Sequence, residues 1–434
     1  MIKKLVLVFI AIVAIHSYGQ QGTTSPYSFY GIGSLKFKGT VENRSMGGLS
    51  IYNDSIHVNL RNPSSYAGEN LEIWGNESRP IKFAVGGSYS STNLESNTSS
   101  DDASSTTFNY IAINIPLGKF GFGFGLLPYT SVGYKLESLD SNENIENQFE
   151  GEGGVNKAFL GFGYQLAKGL SIGVDFQYNF GNIQNNIINY QYSDGIAVNY
   201  QSKESNRSDL SGLNLNLGLS YKTMINNKLE VVSSVIYSPE STLTSKNERT
   251  ISTITINSSG QEGTRNIIES DLAGLGLEET DLVIPSKFSF GAGIGEPRKW
   301  FIGAETSFVK TSKFSNELFS NGTTYEDAYS FSIGGFYIPQ YNSFRNYFKK
   351  MVYRAGFRKE ETGLNIKGES INEFGISFGV GIPVGDARLL SNANLGFEIG
   401  QRGTKNSNLI QENFISLQLS LSLNDRWFQK RKYD

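Results

Sequence analysis

Residues 415–423 read ISLQLSLSL, with an apolar residue at every second position and a small or amide residue between. Side chains of a β-strand point alternately to opposite faces, so this stretch predicts a strand with one apolar and one polar face. The same period of two recurs in FGFGFGL at 120–126, FSFGAGIG at 288–295 and FGISFGVGI at 374–382. Soluble β-sandwiches also alternate, so the period alone leaves two architectures open.

Two features favour a transmembrane β-barrel over a sandwich. The polar positions are mostly Gly, Ser, Asn and Gln, which suit a crowded or wet lumen, and glycine makes up 48 of 434 residues. The alternating segments are also longer than an average strand, and they reach the roughly 9–11 residues that a tilted transmembrane strand needs.

The links between segments alternate between tight turns and longer polar stretches, as in outer-membrane barrels with short periplasmic turns and long extracellular loops. Both chain ends are then periplasmic. Residues 267–277 of the longest loop have apolar positions near helical spacing, which predicts a short surface helix. The fold class is therefore all-β, an antiparallel transmembrane barrel of 14 strands near 71–92, 105–117, 119–138, 155–168, 170–190, 208–225, 228–248, 283–297, 299–314, 328–340, 350–364, 370–384, 389–402 and 409–423.

The N-terminus has the features of a secretory signal peptide. Lys3 and Lys4 precede an apolar run, and Ser17-Tyr18-Gly19 places small residues before a cleavage site at Gln20. The alternative is a membrane anchor, but the run is too short to span roughly 30 Å of hydrocarbon. We predict a signal peptide at 1–19, an N-terminal hatch at 20–70, a barrel at 71–423 and a basic periplasmic tail at 424–434.

The hatch prediction rests on residues 20–70, which lack the alternation of the barrel. A disordered tail is the alternative, but this segment carries too many aromatic and aliphatic residues to stay solvated. The lumen is the nearest space in which such a segment can be buried.

Six short motifs occur along the chain: SPYSFYGIG at 25–33, RSMGGLS at 44–50, NPSSY at 62–66, YRAGF at 353–357, GQRGT at 400–404 and NDRWF at 424–428. The second and third resemble the hatch of the FadL/TodX hydrophobic-compound transporters, and the other four resemble an outer-membrane protein family of the Bacteroidota. Ser64-Ser65 follow the Asn-Pro pair where the FadL motif is rich in alanine. The resemblance implies a 14-stranded barrel with an N-terminal hatch, and lateral or lumenal passage of hydrophobic compounds. The candidate hatch residues within these motifs are Pro26, Tyr27, Tyr30, Gly47, Gly48, Asn62 and Pro63.

The chain contains three tryptophans. Trp74, Trp300 and Trp427, together with Phe428, fall on the same predicted side of the barrel, the periplasmic one. Aromatic girdles occupy the membrane interfaces of such barrels. Unrelated core tryptophans would not share a side, so we predict an interfacial girdle.

Enzymatic functions find little support in the composition. The chain has no cysteine, and cleavage leaves His57 as the single histidine, so thiol catalysis, zinc-thiolate sites and His-based triads lack their residues. The loop carboxylate pairs Asp101-Asp102 and Glu278-Glu279 are expected to be solvated charge rather than a calcium site. We expect no cofactor, no metal and, at a net charge of −3, no nucleic-acid partner.

Two functions remain open. One is passive uptake of hydrophobic small molecules through a hatch-gated lumen. The other is a non-transporting barrel that serves as a subunit of an outer-membrane protein assembly or secretion machine. The expected partners are outer-membrane lipid and either a hydrophobic ligand or other complex subunits, for which the basic tail offers a docking site if it is not simply solvated.

Overall fold

The computed structural model describes residues 22–67, 80–193, 196–257, 261–314, 323–343, 345–384 and 391–425. Its helical elements are one α-helix and short 3₁₀ turns: Pro26–Phe29, α1 Val41–Arg44, Pro63–Tyr66, Thr311–Lys313, Tyr347–Lys350 and Asn406–Asn408. The strands are β1 Ser34–Leu35, β2 Ile81–Glu95, β3 Ser100–Leu117, β4 Phe120–Pro128, β5 Thr130–Leu139, β6 Ile145–Ala167, β7 Leu170–Asn189, β8 Tyr192–Ser193, β9 Ile196–Ala197, β10 Gln201–Met224, β11 Glu230–Ser238, β12 Ser241–Ile256, β13 Glu262–Glu269, β14 Glu279–Ile284, β15 Lys287–Glu296, β16 Trp300–Val309, β17 Thr323–Tyr325, β18 Ala328–Tyr337, β19 Val352–Ile366, β20 Glu369–Pro383, β21 Asn392–Arg402 and β22 Gln411–Asp425.

Fourteen strands cross the barrel wall, and three of them are composite. β4 continues into β5, β11 into β12, and β14 into β15. Each break falls at a proline, Pro128, Pro239 or Pro285, because proline has no backbone N–H to donate to a neighbouring strand.

The sheet closes on itself. β2 pairs antiparallel with β3 on one side and with β22, the last strand, on the other. Neighbouring wall strands are antiparallel throughout the described residues. The predicted closed barrel of 14 antiparallel strands is therefore confirmed.

The two faces of β22 follow the predicted alternation. Leu417 and Leu419 are 43% and 46% exposed on the outside, whereas Ser416 and Gln418 are buried inside. Exposed apolar side chains recur around the outer wall, which is typical of a lipid-facing band. Leu421 continues the outward row but is only 7% exposed. No helix among the described residues is long and apolar enough to cross a membrane.

The two ends of the barrel differ in their links. At the turn end, β3 joins β4 through Gly118-Lys119, and β6 joins β7 through Lys168-Gly169. At the loop end, strand pairing continues beyond the alternating segments, so the link between the strands predicted at 71–92 and 105–117 shortens to residues 96–99. Polar cross-strand neighbours sustain this pairing, which a search for apolar alternation does not detect.

The predicted surface helix at 267–277 is wrong. Its first residues belong to β13, which pairs with β12, and turns follow from Leu272 to Gly276. The apolar residues Ile267 and Ile268 are adjacent and point to opposite faces of a strand, so their spacing mimicked one side of a helix.

Candidate functional site

The hatch, defined here as residues 22–67, packs against the inward faces of the barrel strands. The turn Pro26–Phe29 contacts β5, α1 contacts β20, β21 and β22, and the turn Pro63–Tyr66 contacts β4, β6, β7 and β10. These contacts span much of the circumference, so the hatch touches both flanks of the lumen.

The Asn-Pro motif is hydrogen-bonded to the wall. Asn62 is completely buried, and its Nδ2 donates to Ser220 Oγ on β10 at 2.9 Å. Its Oδ1 accepts from the backbone N–H of Ser64 at 3.1 Å, which caps the 3₁₀ turn that Pro63 begins. Proline suits this first position because its fixed φ and missing N–H cost nothing there.

The wall beneath this turn consists of glycines, which we call the glycine floor. A Cβ added to Gly121 would lie 1.6 Å from the carbonyl oxygen of Tyr66. A Cβ at Gly173 would lie 2.3 Å from the carbonyl carbon of Pro63, and one at Gly218 would lie 2.3 Å from Asn62 Oδ1. These inward glycines therefore leave the space in which the hatch backbone sits.

Gly47 and Gly48 form a left-handed turn that rests on the opposite wall. Their φ angles are +72° and +88°, a region that side chains rarely adopt. The N–H of Gly47 donates to Ser377 Oγ at 3.0 Å. A Cβ at Gly356 on β19 would lie 2.1 Å from the nitrogen of Gly47, so backbone again meets backbone without side chains between.

The first hatch motif lies near the loop end of the lumen. Pro26 and Tyr27 are buried in the 3₁₀ turn, and Tyr27 OH donates to the carbonyl oxygen of Ile410 at 2.5 Å. Burial, followed by the charge of Glu412, raises the pKa of Tyr27 above its usual range. Tyr30 is half-buried and packs edge-on against Phe29, with ring centroids 5.1 Å apart.

Three cations of the hatch form ion pairs with carboxylates of the wall. Lys38 Nζ lies 2.7 Å from Glu373 Oε1, Arg44 Nη2 lies 3.0 Å from Glu398 Oε2, and Arg61 Nη2 lies 2.8 Å from Glu305 Oε1. These carboxylates are almost fully buried. Breaking a buried pair leaves an uncompensated charge, so the hatch is held by charge as well as by shape.

The wall cation Arg358 joins two of these pairs into one network. Its Nη2 contacts Glu373 and lies 2.6 Å from Glu398 Oε1. The hatch acid Glu42 adds neutral contacts, since its Oε1 accepts from Asn394 Nδ2 at 2.6 Å and from Ser420 Oγ at 3.1 Å. We call Lys38, Arg44, Arg358, Glu360, Glu373 and Glu398 the ion-pair network.

The hatch separates two cavities. The larger, about 340 Å³, lies toward the loop end and is lined by Tyr30 and Phe37 of the hatch and by Tyr129 and Tyr325 among other wall residues. The smaller, about 130 Å³, lies toward the turn end beside Tyr52. Among the described residues, the two cavities share no lining residue.

All 434 residues match the family model of BamG. The chain belongs to the BamG family. No curated protein matches its sequence.

The fold of this BamG-family chain is similar to the folds of two solved toluene transporters and a FadL homologue. The Pseudomonas putida toluene transporter TodX has 16% identity and a TM-score of 0.57, with 91% of this chain and 99% of that chain covered. The Ralstonia pickettii toluene transporter TbuX has 14% identity and a TM-score of 0.57, with 90% and 99% covered. A Pseudomonas aeruginosa FadL homologue has 10% identity and a TM-score of 0.57, with 90% and 99% covered. The predicted resemblance to the FadL/TodX fold is confirmed.

The hatch also completes the barrel wall between β3 and β5 of the BamG-family chain. β3 pairs with β4 only from Ile111 to Leu117, and β5 turns away to pair with β6 and with β1 of the hatch. The carbonyl oxygen of Gly22 accepts from Thr107 Oγ1 on β3 at 3.0 Å. The sequence signal for this departure is Pro128, which lies within the strand predicted at 119–138.

His57 closes a loop of the hatch beside the smaller cavity. Its Nδ1 lies 2.7 Å from Asp54 Oδ2, and its backbone N–H donates to Asp54 Oδ1 at 2.6 Å. Burial favours the neutral acid, but the charge and hydrogen bonds of His57 outweigh it and hold the pKa of Asp54 below its usual range. Among the described residues, no group of three potential ligands could hold a metal ion.

Of the predicted aromatic girdle, Trp300 begins β16 at the turn end. Trp74, Trp427 and Phe428 lie outside the described residues, as do the predicted signal peptide and the basic part of the tail. The girdle therefore stays a prediction.

Proposed function

We propose that this BamG-family barrel resides in the outer membrane and serves as a non-transporting subunit of a protein-assembly machine. The observation that carries the proposal is the attachment of the hatch, in which three cations pair with buried wall carboxylates. A gate that opens in each transport cycle would have to separate these pairs repeatedly. Membership of the BamG family is compatible with this role.

The hatch is attached to the wall in two ways, by the ion-pair network on one side and by the glycine floor on the other. Withdrawal would break the ion-pair network on β19 to β21 and also lift the Asn62-Pro63 turn from the glycine floor. The 18 residues between α1 and the turn are anchored as well, because the N–H of Ser50 donates to Glu305 Oε2 at 2.7 Å and Asn59 Nδ2 donates to the carbonyl oxygen of Ser50 at 2.6 Å. We therefore propose that this sequence stabilises the closed lumen.

The proposed orientation follows the link lengths. The turn end and both chain ends face the periplasm, and the long loops are extracellular. In this arrangement the signal peptide at 1–19 is removed, the hatch at 20–70 fills the barrel at 71–423, and the tail at 424–434 is available to periplasmic partners.

Uptake of hydrophobic small molecules is the second candidate. The larger cavity favours it, since aromatic side chains line the cavity and Lys157 Nζ lies 4.3 Å from the ring centroid of Tyr129. Lys157 and Lys287 face this cavity without an ion pair among the described residues. An apolar ligand or an amphipathic acid fits this lining.

A disulfide that ties the hatch to the wall, and that reductant opens again, distinguishes the two functions. We call this disulfide the lock. Ser64 Oγ and Ser220 Oγ are 2.5 Å apart, so the double variant S64C/S220C can form a disulfide without large movement, and the chain has no other cysteine. We expect cells with the oxidised lock to assemble their outer-membrane proteins normally. We also expect vesicles with a lipopolysaccharide outer leaflet, which slows unaided entry of toluene, to take up toluene no faster with the unlocked protein than without protein. Uptake that depends on reductant, with S64C alone as control, would instead support the transporter.

A further inference from the structure

One flank of the barrel rises well beyond the lipid-facing band. β6, β7 and β10 have 23, 20 and 24 residues, whereas β16 and β18 have 10 each. On β10 the outward row is apolar from Tyr221 to Leu213 and then changes to an Asp209–Arg207 ion pair. Six more residues follow from Asn206 to Gln201, which is roughly 20 Å of strand at about 3.3 Å per residue.

The raised sheet ends on an open edge. Among the described strands β13 pairs only with β12, and all eight of its residues are exposed. The backbone N–H of Ser270 donates to the carbonyl oxygen of Arg249 at 2.9 Å. This bond shows which residues of β13 direct their backbone groups toward β12 and which direct them away. Because antiparallel hydrogen-bonding alternates, the N–H groups of Glu269 and Ile267 point to the open edge.

A row of five apolar residues, interrupted by Glu204, crosses the raised sheet and ends at this edge. Cross-strand pairing aligns Leu136, Phe149, Ile187, Glu204, Ile251 and Ile268 in one row on the face toward the barrel axis. Ile251 and Ile268 at its end are 45% and 60% exposed. The row beyond it is polar, with Asn147, Asn189, Ser202, Thr253 and Asn266.

The edge is acidic. Residues 261–281 contain six carboxylates and one arginine, Arg265. Glu262 pairs with Lys203 at 2.5 Å, but Glu269, Asp271 and Glu278 are exposed and make no ion pair with any described residue. A strand that lies beside β13 therefore meets a surface that favours basic side chains.

We propose that β13 is a docking edge to which an extended, basic segment of another subunit adds as the next strand. The segment takes its main-chain hydrogen bonds from Ile267 and Glu269 and places an apolar side chain beside Ile268, which continues the row. A second copy of this chain is a poor occupant, because in the fully overlapped antiparallel register Glu262 of one copy opposes Glu269 of the other. This inference rests on the proposed function and names the partner's chemistry.

The test uses the full-length barrel extracted from native outer membranes in mild detergent, with and without a high-salt wash that strips bound proteins. Hydrogen exchange of the peptide 262–270 is measured in both samples. We expect the amides of Ile267 and Glu269 to exchange at least ten-fold more slowly before the wash.

I267P removes one edge N–H without touching the hydrogen bonds to β12, and I267A keeps that N–H while shortening the side chain. We expect I267P to lower the retained subunit at least ten-fold and I267A to leave most of it.

Heat-modifiable migration of both variants confirms that each barrel is folded. If subunits are retained but β13 exchanges equally in both samples, or if I267P retains them as wild type does, the docking edge is wrong while the proposed function stands. A retained partner that is a second copy of the chain also overturns it. If no protein is retained at all, the proposed function fails together with this inference.

Discussion

The two sides of the hatch are held by different physics. At the Asn62-Pro63 side the wall is a floor of glycines, and the contact is one of shape, with backbone lying directly on backbone. At the Lys38–Arg44 side the wall supplies Glu373 and Glu398, and the contact is one of charge. The close backbone contact sets the position of the hatch in the lumen. The buried ion pairs make removal of the hatch costly, because removal would leave unpaired charges in the wall.

The largest expected effect is on the charged side. In E398Q, Arg44 loses its ion-pair partner and Arg358 loses one of two strong contacts, so we expect a loss of about 3 kcal/mol in the free energy of unfolding. Urea titration of the protein in lipid vesicles measures it. The matched control is E361Q, whose partner Lys359 is exposed, and we expect no measurable loss there. Equal losses in the two variants would remove the distinction between buried lock and surface charge.

The next effect is on the shape side. In G121A the new methyl group would overlap the carbonyl oxygen of Tyr66, so the turn must lift, at a cost of about 2 kcal/mol. G87A is the control, because its nearest neighbour is Thr107 O at 3.3 Å. The yield of the disulfide in S64C/S220C reports the lift, and we expect it to fall in G121A only. An unchanged yield would mean that the glycine floor does not position the hatch.

The smallest effect is a pH dependence from the charged side. Burial, followed by the nearby Arg44, Arg402 and Lys38, lowers the pKa of Lys36 to about 7. The unfolded chain then binds more protons than the folded one between about pH 7 and the ordinary lysine value, so stability rises with pH in that window. K36M should flatten this slope and stabilise the protein at neutral pH, as urea midpoints at several pH values would show. A slope that persists in K36M would assign it to another group.

Much of the fold was predictable because a membrane barrel repeats one physical rule in every strand. The outward Phe and Leu residues and the inward Gly and Ser residues predicted the 14 strands. The loop-end extensions were missed because β3 continues through Ser100 to Ser105 with polar residues on both faces, where alternation carries no signal. Pairing with β2 holds these residues in the sheet instead.

The site was predictable only in part. Gly47, Gly48, Asn62 and Pro63 were singled out by their motifs, since unusual backbone geometry restricts which residues fit. The carboxylates that lock the hatch were not, because Arg44 and Glu398 are 354 positions apart and only the closed barrel brings them together. An isolated glutamate in an inward strand position looks the same whether it meets water or a hatch cation.

Single-channel recording in planar bilayers tests the sealed lumen most directly. The account predicts that the intact protein inserts without measurable conductance, and that deletion of residues 25–66 produces stable open channels of a 14-stranded pore. S64C/S220C should show no measurable conductance either with or without reductant. Spontaneous openings of the intact protein that the oxidised lock abolishes, or a deletion variant that conducts no more than the intact barrel, would contradict the claim that the hatch is a fixed plug.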